Sequence, residues 1–294
     1  MERKGIRFEA FREANFSSAA LETIKQWELS AFITGLMIVI LNSCLVTMIL
    51  YSTFKNRKKS VSKLLTLSLG CSDLLTGLCI VLYYILESYL YSSTVLLALS
   101  LIISFTICVS LLHAFALTAD RLMAISFPFR YRDRSFRLPG VKVIIAIWLL
   151  SVSITALSLV KVYYFGLVLS FIIILTGLFM PVAYCIIFFK LRNLSKRQQQ
   201  RNSQSQRHSI QKERKRAVYC VLIVAGFIIC SFPLAIVTCF DIGTGDPHIA
   251  SFPVFLIMMN AVWNPILFLL KKLATHYYMK LENNLPIMNN ALNA

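Results

Sequence analysis

Seven apolar stretches divide this chain, and most of its positive charge falls in alternate gaps between them. The stretches run over Leu29 to Tyr51, Leu64 to Leu86, Thr94 to Ala119, Val141 to Val160, Val162 to Phe189, Val218 to Phe240 and Ile249 to Leu270. As a helix, each is long enough to cross the roughly 30 Å hydrocarbon core of a bilayer. The predicted fold is therefore an all-α membrane protein, a bundle of seven transmembrane helices. Residues 1–28 form a leading segment, 29–270 the transmembrane domain and 271–294 a short tail.

Charge predicts which way the bundle faces, because short loops rich in Lys and Arg stay in the cytoplasm. The gaps after stretches one, three and five, with their flanks and the tail, hold 24 of the 30 basic residues. The leading segment and the other gaps hold six, against eight acidic residues. An odd number of crossings then places the amino terminus outside and the carboxyl terminus in the cytoplasm, in a multi-pass protein of the plasma membrane. Asn15-Phe16-Ser17 is a glycosylation acceptor in the outward segment. No basic start followed by a short apolar run marks a cleavable signal, so the first span is expected to act as its own insertion signal.

A net charge of +17 in a soluble protein would suggest nucleic acid as a partner. Here the basic residues are separated by lipid-soluble spans, which points instead to anionic inner-leaflet lipids and acidic partner surfaces. All eight cysteines lie inside apolar stretches and are expected to be small buried hydrophobes. The four histidines are scattered, and no Cys/His cluster has metal-ligand spacing, so no metal or cofactor is assigned from these residues.

Polar side chains within the spans are expensive in hydrocarbon and mark functional candidates. Asp73 is the one carboxylate near the middle of a span. Asn42, Ser110, Asn260 and Asn264 fall at similar depth, the last two four apart and hence on one helix face. These five could surround a monovalent cation or a proton, or they could form a hydrogen-bonded plug that holds helices together. Asp120-Arg121 stands at the inner end of span three. The gap from Lys190 to Arg216 contains a single acid, Glu213, a candidate partner for Arg121 across to span six. The alternative for Glu213 is a solvated charge balanced by neighbours such as Arg214. Pro181, Pro233 and Pro265 each interrupt a span and permit a kink. Pro233 lies twenty residues beyond Glu213, which gives an inner arm of roughly 30 Å.

With these positions in order, the chain resembles a rhodopsin-like (class A) G-protein-coupled receptor. Asn42 matches the helix-one asparagine and Leu69-Gly70-Cys71-Ser72-Asp73 the LxxxD of helix two. Asp120-Arg121-Leu122 stands for the Asp-Arg-Tyr triplet, Trp148 for the helix-four tryptophan and Pro181 for the helix-five proline. Phe227 to Pro233 follows FxxCWxP, and Asn264-Pro265-Ile266-Leu267-Phe268 follows NPxxY. The resemblance implies a sodium site at Asp73, Ser110, Asn260 and Asn264, with Asn42 beside it, and sodium as an allosteric ligand. It implies an ionic lock between Arg121 and Glu213, switch motifs at Phe227, Pro233, Pro265 and Phe268, and a short amphipathic helix after Leu270. No covalent chemistry is implied.

Several positions depart from the family pattern. Leu122, Phe268 and Phe189 replace tyrosines expected to stabilise activation, and Ser231 replaces the tryptophan at the base of the usual ligand pocket. The outer end of span three has no cysteine, and the gap between spans four and five is a few residues around Lys161. The usual outer disulfide is therefore expected to be missing, as in melanocortin-like members of the family.

The expected function is conversion of extracellular ligand binding into activation of a heterotrimeric G protein by outward movement of helix six. Arg130, Lys212 and Lys215 would steer that partner. Glu87, Tyr83, Ser104, Phe105, Asp241 and His248 are the pocket candidates, and their acids hint at a cationic small molecule or a peptide. Two other classes stay open, a seven-helix transporter and a receptor-shaped decoy that binds without signalling. Ion flux would reveal the first, and lack of nucleotide exchange the second.

Overall fold

In a computed structural model, residues 18–56, 61–89, 93–127, 131, 140–199, 205–240 and 252–270 are described. Their helices are α1 (Ser18–Asn56), α2 (Val61–Tyr89), α3 (Ser93–Ser126), α4 (Gly140–Val160), α5 (Val162–Gln199) and α6 (Ser205–Phe240), followed by α7 (Phe252–Leu270). All seven are long and apolar enough to cross a membrane. No strand occurs among the described residues.

Several helices outrun their apolar stretches. The first begins at Ser18 rather than Leu29, α5 continues past Phe189 to Gln199, and α6 starts at Ser205 rather than Val218. Hydropathy marks only the part that lipid can surround. The i→i−4 bonds of a helix are local, and Gln, Lys, Arg and Glu propagate them well in water. Between α4 and α5 the gap closes to Lys161 alone, whose amide donates to Leu157 O at 3.0 Å.

Neighbouring helices pack α1 on α2, α2 on α3 and α4, α3 on α4 and α5, α4 on α5, and α5 on α6. Three apolar clusters hold them. One joins α3, α4, α5, α6 and α7 around Leu111, Ile173, Phe227 and Ile257. A second joins α1, α2 and α7 around Ile38, Ile80 and Val262, with Ile103 of α3 against it. The third joins α2, α3 and α4 around Leu65, Val109 and Ile147. Because α3 touches all three clusters, it is the central post of the bundle. Leu149, Leu159, Phe171 and Leu178 are exposed on outward faces, as expected where the surrounding solvent is lipid.

Where α1 meets α2 the backbones come close. A Cβ on Gly77 would lie 3.0 Å from Gly35 O and 2.9 Å from Ile38 Cγ2. Small residues at such a crossing let the helices pack by van der Waals contact, which is the main attraction available in lipid.

The seven described cysteines are free. Cys79, Cys108 and Cys230 are buried as expected, but Cys44, Cys71, Cys185 and Cys239 are exposed on the bundle's outer faces. A thiol is apolar enough that lipid serves as well as core. Cys220 has its side chain outside the described residues.

Candidate functional site: a buried carboxylate between three helices

Asp73 is 1% exposed, midway along α2. From α7, Asn264 Nδ2 donates to its Oδ2 at 3.4 Å, while Oδ1 has no hydrogen-bond partner. Beside it lies a cavity of about 10 Å³ whose polar lining is Asp73, Thr76, Ser110 and Asn260. Ser110 Oγ, on α3, is also buried without a partner. No basic side chain lines the space. Its size is about that of one water or one small ion, and an unneutralised carboxylate in such a place is costly. The residues present therefore fit a small cation held by oxygen atoms.

Four of the five expected polar residues gather here, Asn264 by its bond to Asp73 rather than by lining the cavity. Asn42 departs from the expectation that it joins them. Its Nδ2 donates instead to Ala261 O on α7 and to Ile38 O in its own helix, both at 3.0 Å. Pro265 has no amide hydrogen to give the carbonyl four residues back, which is that of Ala261. The amide of Asn42 satisfies the carbonyl that the proline leaves over, and so ties α1 to α7.

Two polar links went unread in the sequence. Thr76 Oγ1 of α2 donates to Thr106 Oγ1 of α3 at 2.7 Å, one turn from Asp73. Ser68 Oγ lies 3.0 Å from His113 Nε2 and accepts from Trp148 Nε1 at 3.1 Å. His113 Nδ1 is 2.8 Å from Val109 O, so that nitrogen carries the proton and Nε2 accepts from Ser68. One serine of α2 thus meets α3 through the fully buried imidazole of His113 and α4 through the indole of Trp148. A Ser, a His and a Trp each ordinary alone gave no signal of this.

The pocket candidates fall in several places. Phe105 packs edge-on to Trp148, ring centroids 5.6 Å apart, within the α2–α3–α4 cluster. It is a packing residue between helices. Glu87, Tyr83 and Ser104 are half-buried. They line neither the cavity beside Asp73 nor a second cavity, of about 420 Å³, between α2, α3 and α4. Asp241 and His248 lie outside the described residues.

At the other end of α3, Asp120 is buried and accepts a hydrogen bond from Tyr131 Oη at 2.6 Å. Nothing in the spacing announced that bond, because the chain leaves the helix between the two residues. Lys190 Nζ, on α5, donates to Ser126 O at 3.3 Å and stands 5.4 Å over the Phe127 ring. Arg121 is half-buried. Glu213, Lys212 and Lys215 fall on α6, but their side chains, like Arg130, Asn15 and residues 271–294, lie outside the described residues.

Of the switch positions, Phe227 is buried in the large core cluster. Pro233 lies inside α6, Pro265 is buried within α7, and Phe268 is half-buried. Ser231 is fully buried and its hydroxyl has no partner. Leu122 packs against the core, whereas Phe189 is exposed and packs edge-on to Phe188.

A family described as 7 transmembrane receptor (rhodopsin family) matches residues 41–163 and 153–268. The two matches overlap and together take in Asn42, Asp73, Asp120 and the Asn264-Pro265 motif. A seven-helix membrane bundle with this polar core defines a class, and the chain belongs to the 7 transmembrane receptor (rhodopsin family). No curated protein matches the chain.

Proposed function

We propose that the chain is a plasma-membrane receptor, amino terminus outside, that binds an extracellular ligand and activates a heterotrimeric G protein. The observation that carries this reading is the α2–α7 contact between Asp73 and Asn264, where a buried carboxylate keeps one oxygen unpartnered beside an ion-sized cavity. Families of this kind are receptors rather than enzymes, and no catalytic role is assigned. The one-residue connection at Lys161 supports placing the chain near the melanocortin-like members.

A ligand shifts a two-state equilibrium only through unequal affinity for the two states. In the inactive state, Arg121 pairs with Glu213 and holds the inner arm of α6 against α3. Activation breaks that pair, and α6 swings outward about Pro233. The cleft so opened takes a helix of the G protein, with Arg130, Lys212 and Lys215 steering it. Anionic inner-leaflet lipids face the same basic end.

Asp73 and Ser110 would hold a sodium ion, with Asn260 and Asn264 adjoining. When bound, the ion neutralises the carboxylate and favours the inactive packing. Glu87, Tyr83 and Ser104, with Asp241 and His248, remain the ligand-contact candidates, for a cationic small molecule or a peptide.

The test is ligand-free nucleotide exchange on a panel of G proteins, comparing membranes bearing the wild type with membranes bearing Glu213→Ala at matched surface expression. Higher exchange in the mutant on at least one G protein supports a coupling receptor restrained by the lock. Exchange at the level of empty membranes for both forms would favour a second reading, a non-signalling binding partner or decoy. The hydroxyls missing at Leu122, Phe189 and Phe268 are what keep that reading in view.

A further inference from the structure

We infer that Trp263 is the residue that fixes the position of α6, by seating its indole in a notch that only a glycine at position 226 leaves open. The inference rests on the reading above, in which the inner arm of α6 moves about Pro233.

Trp263 Nε1, on α7, donates to Leu222 O on α6 at 3.2 Å. In a continuous helix that carbonyl already accepts the amide of Gly226, four residues on. The indole therefore reaches in across Gly226 itself. A Cβ there would overlap the ring at its nitrogen and at both neighbouring carbons, so this tryptophan demands that glycine. Any larger residue at 226 and a seated indole at 263 exclude one another.

The notch lies where a hold would count. Gly226 is seven residues before Pro233, about 10 Å below it along the axis. Pro233 cannot donate to the carbonyl of Ile229, which puts the flexible point above Gly226 and the notch on the moving arm. A second ring-in-notch contact allows a comparison. Phe232 of α6 fills the space a Cβ on Gly177 of α5 would need. That contact sits at the proline and leaves the arm below it free.

On the α7 side, Trp263 is followed by Asn264 and Pro265. Successive helical residues point about 100° apart, and here Trp263 reaches α6 while Asn264 reaches Asp73 on α2. The carbonyl freed by Pro265 is taken by Asn42 of α1. A rotation of α7 would thus disturb the hold on α6 and the polar core together. Family members carry a tryptophan on helix six, where this chain has the buried, unpartnered Ser231. The chain's three tryptophans are Trp27, Trp148 and Trp263, so the indole that meets the inner arm of α6 comes from α7. A ring is either in a glycine notch or out of it, which makes the contact a two-position device rather than a sliding one. Trp263 acts through α6 and is a positioning residue.

The experiment uses the full chain in lipid nanodiscs, with nitroxides on Lys142→Cys of α4 and Val221→Cys of α6, both exposed positions, and the other exposed cysteines replaced. Double electron–electron resonance gives the distance distribution, and nucleotide exchange is read on the same preparations. Gly226→Ala is expected to add a longer-distance population and to raise ligand-free exchange several-fold. Trp263→Phe, which keeps a ring but loses the N–H, should give a smaller shift in the same direction and serves if Gly226→Ala does not fold. Gly177→Ala, which overpacks α6 at the proline, should leave the distribution as in wild type.

An unchanged distribution in Gly226→Ala and Trp263→Phe would overturn the inference, as would equal displacement by Gly177→Ala. If exchange rises in Glu213→Ala while Gly226→Ala moves nothing, the hold is refuted and the receptor reading stands. If Gly226→Ala displaces α6 and no form drives exchange, the hold stands and the coupling reading fails.

Discussion

Asn264 on α7 donates to Asp73 on α2 at 3.4 Å, a long bond that meets only one of the two carboxylate oxygens. Weak at that distance, it leaves the carboxylate in want of a cation. Replacing choline with sodium at constant ionic strength should therefore raise the thermal unfolding midpoint of the wild type. At a few times its dissociation constant, a bound ion stabilises by about 1 kcal/mol. Asp73→Asn, which removes the charge, should unfold at the same temperature in either salt.

Tyr131 holds Asp120 by a hydrogen bond of 2.6 Å. Hydrogen bonds to charged groups contribute about 1.5–3 kcal/mol, and Asp120 is buried. Tyr131→Phe should lower the stability by an amount in that range, with a lower unfolding midpoint, and raise ligand-free exchange by freeing the end of α3. A midpoint within error of wild type would show that the bond is replaced by water.

Ser68→Ala should strand His113 Nε2 on a buried ring, at about 1–3 kcal/mol, and Trp148 Nε1 on a half-buried one, at less. In a double-mutant cycle with Trp148→Phe the losses should fall short of additive, since the second change removes a group the first has already left unpaired. Additive losses, measured by denaturant or heat, would mean the three side chains act independently.

Gly77→Ala tests the α1–α2 crossing. Its Cβ would press on the backbone oxygen of Gly35, which cannot rotate away. Overpacking of this kind costs about 1–3 kcal/mol. The yield of folded protein and the unfolding midpoint should both fall, whereas Gly70→Ala, where the nearest atom is Cγ2 of the Val46 side chain, should be milder.

The seven spans were legible because lipid demands long apolar helices, and Asp73, Ser110, Asn260 and Asn264 were legible because polar groups in such helices are few. What could not be read was which apolar or neutral side chain faces inward. In a soluble helix a polar face marks the outside, but here lipid and core are both apolar, so Cys44 passed for a buried residue. The seat of Trp263 at Gly226 depends on the register of α6 against α7, which no pattern within one helix records. Asn42 was placed at the right depth, but its partner is the carbonyl that Pro265 frees, a consequence that appears only once α1 and α7 are side by side. Tyr131 reaches Asp120 after a break in the helix, beyond the reach of helical spacing.

The most direct test joins the polar core to signalling. Purified receptor in nanodiscs, with each of a panel of G proteins, is assayed for ligand-free nucleotide exchange as sodium replaces choline at fixed ionic strength, in wild type and in Asp73→Asn. The account predicts exchange that falls with sodium in the wild type and does not respond to sodium in the mutant. Wild-type exchange that is indifferent to sodium, or no exchange from either form on any G protein tested, would contradict it.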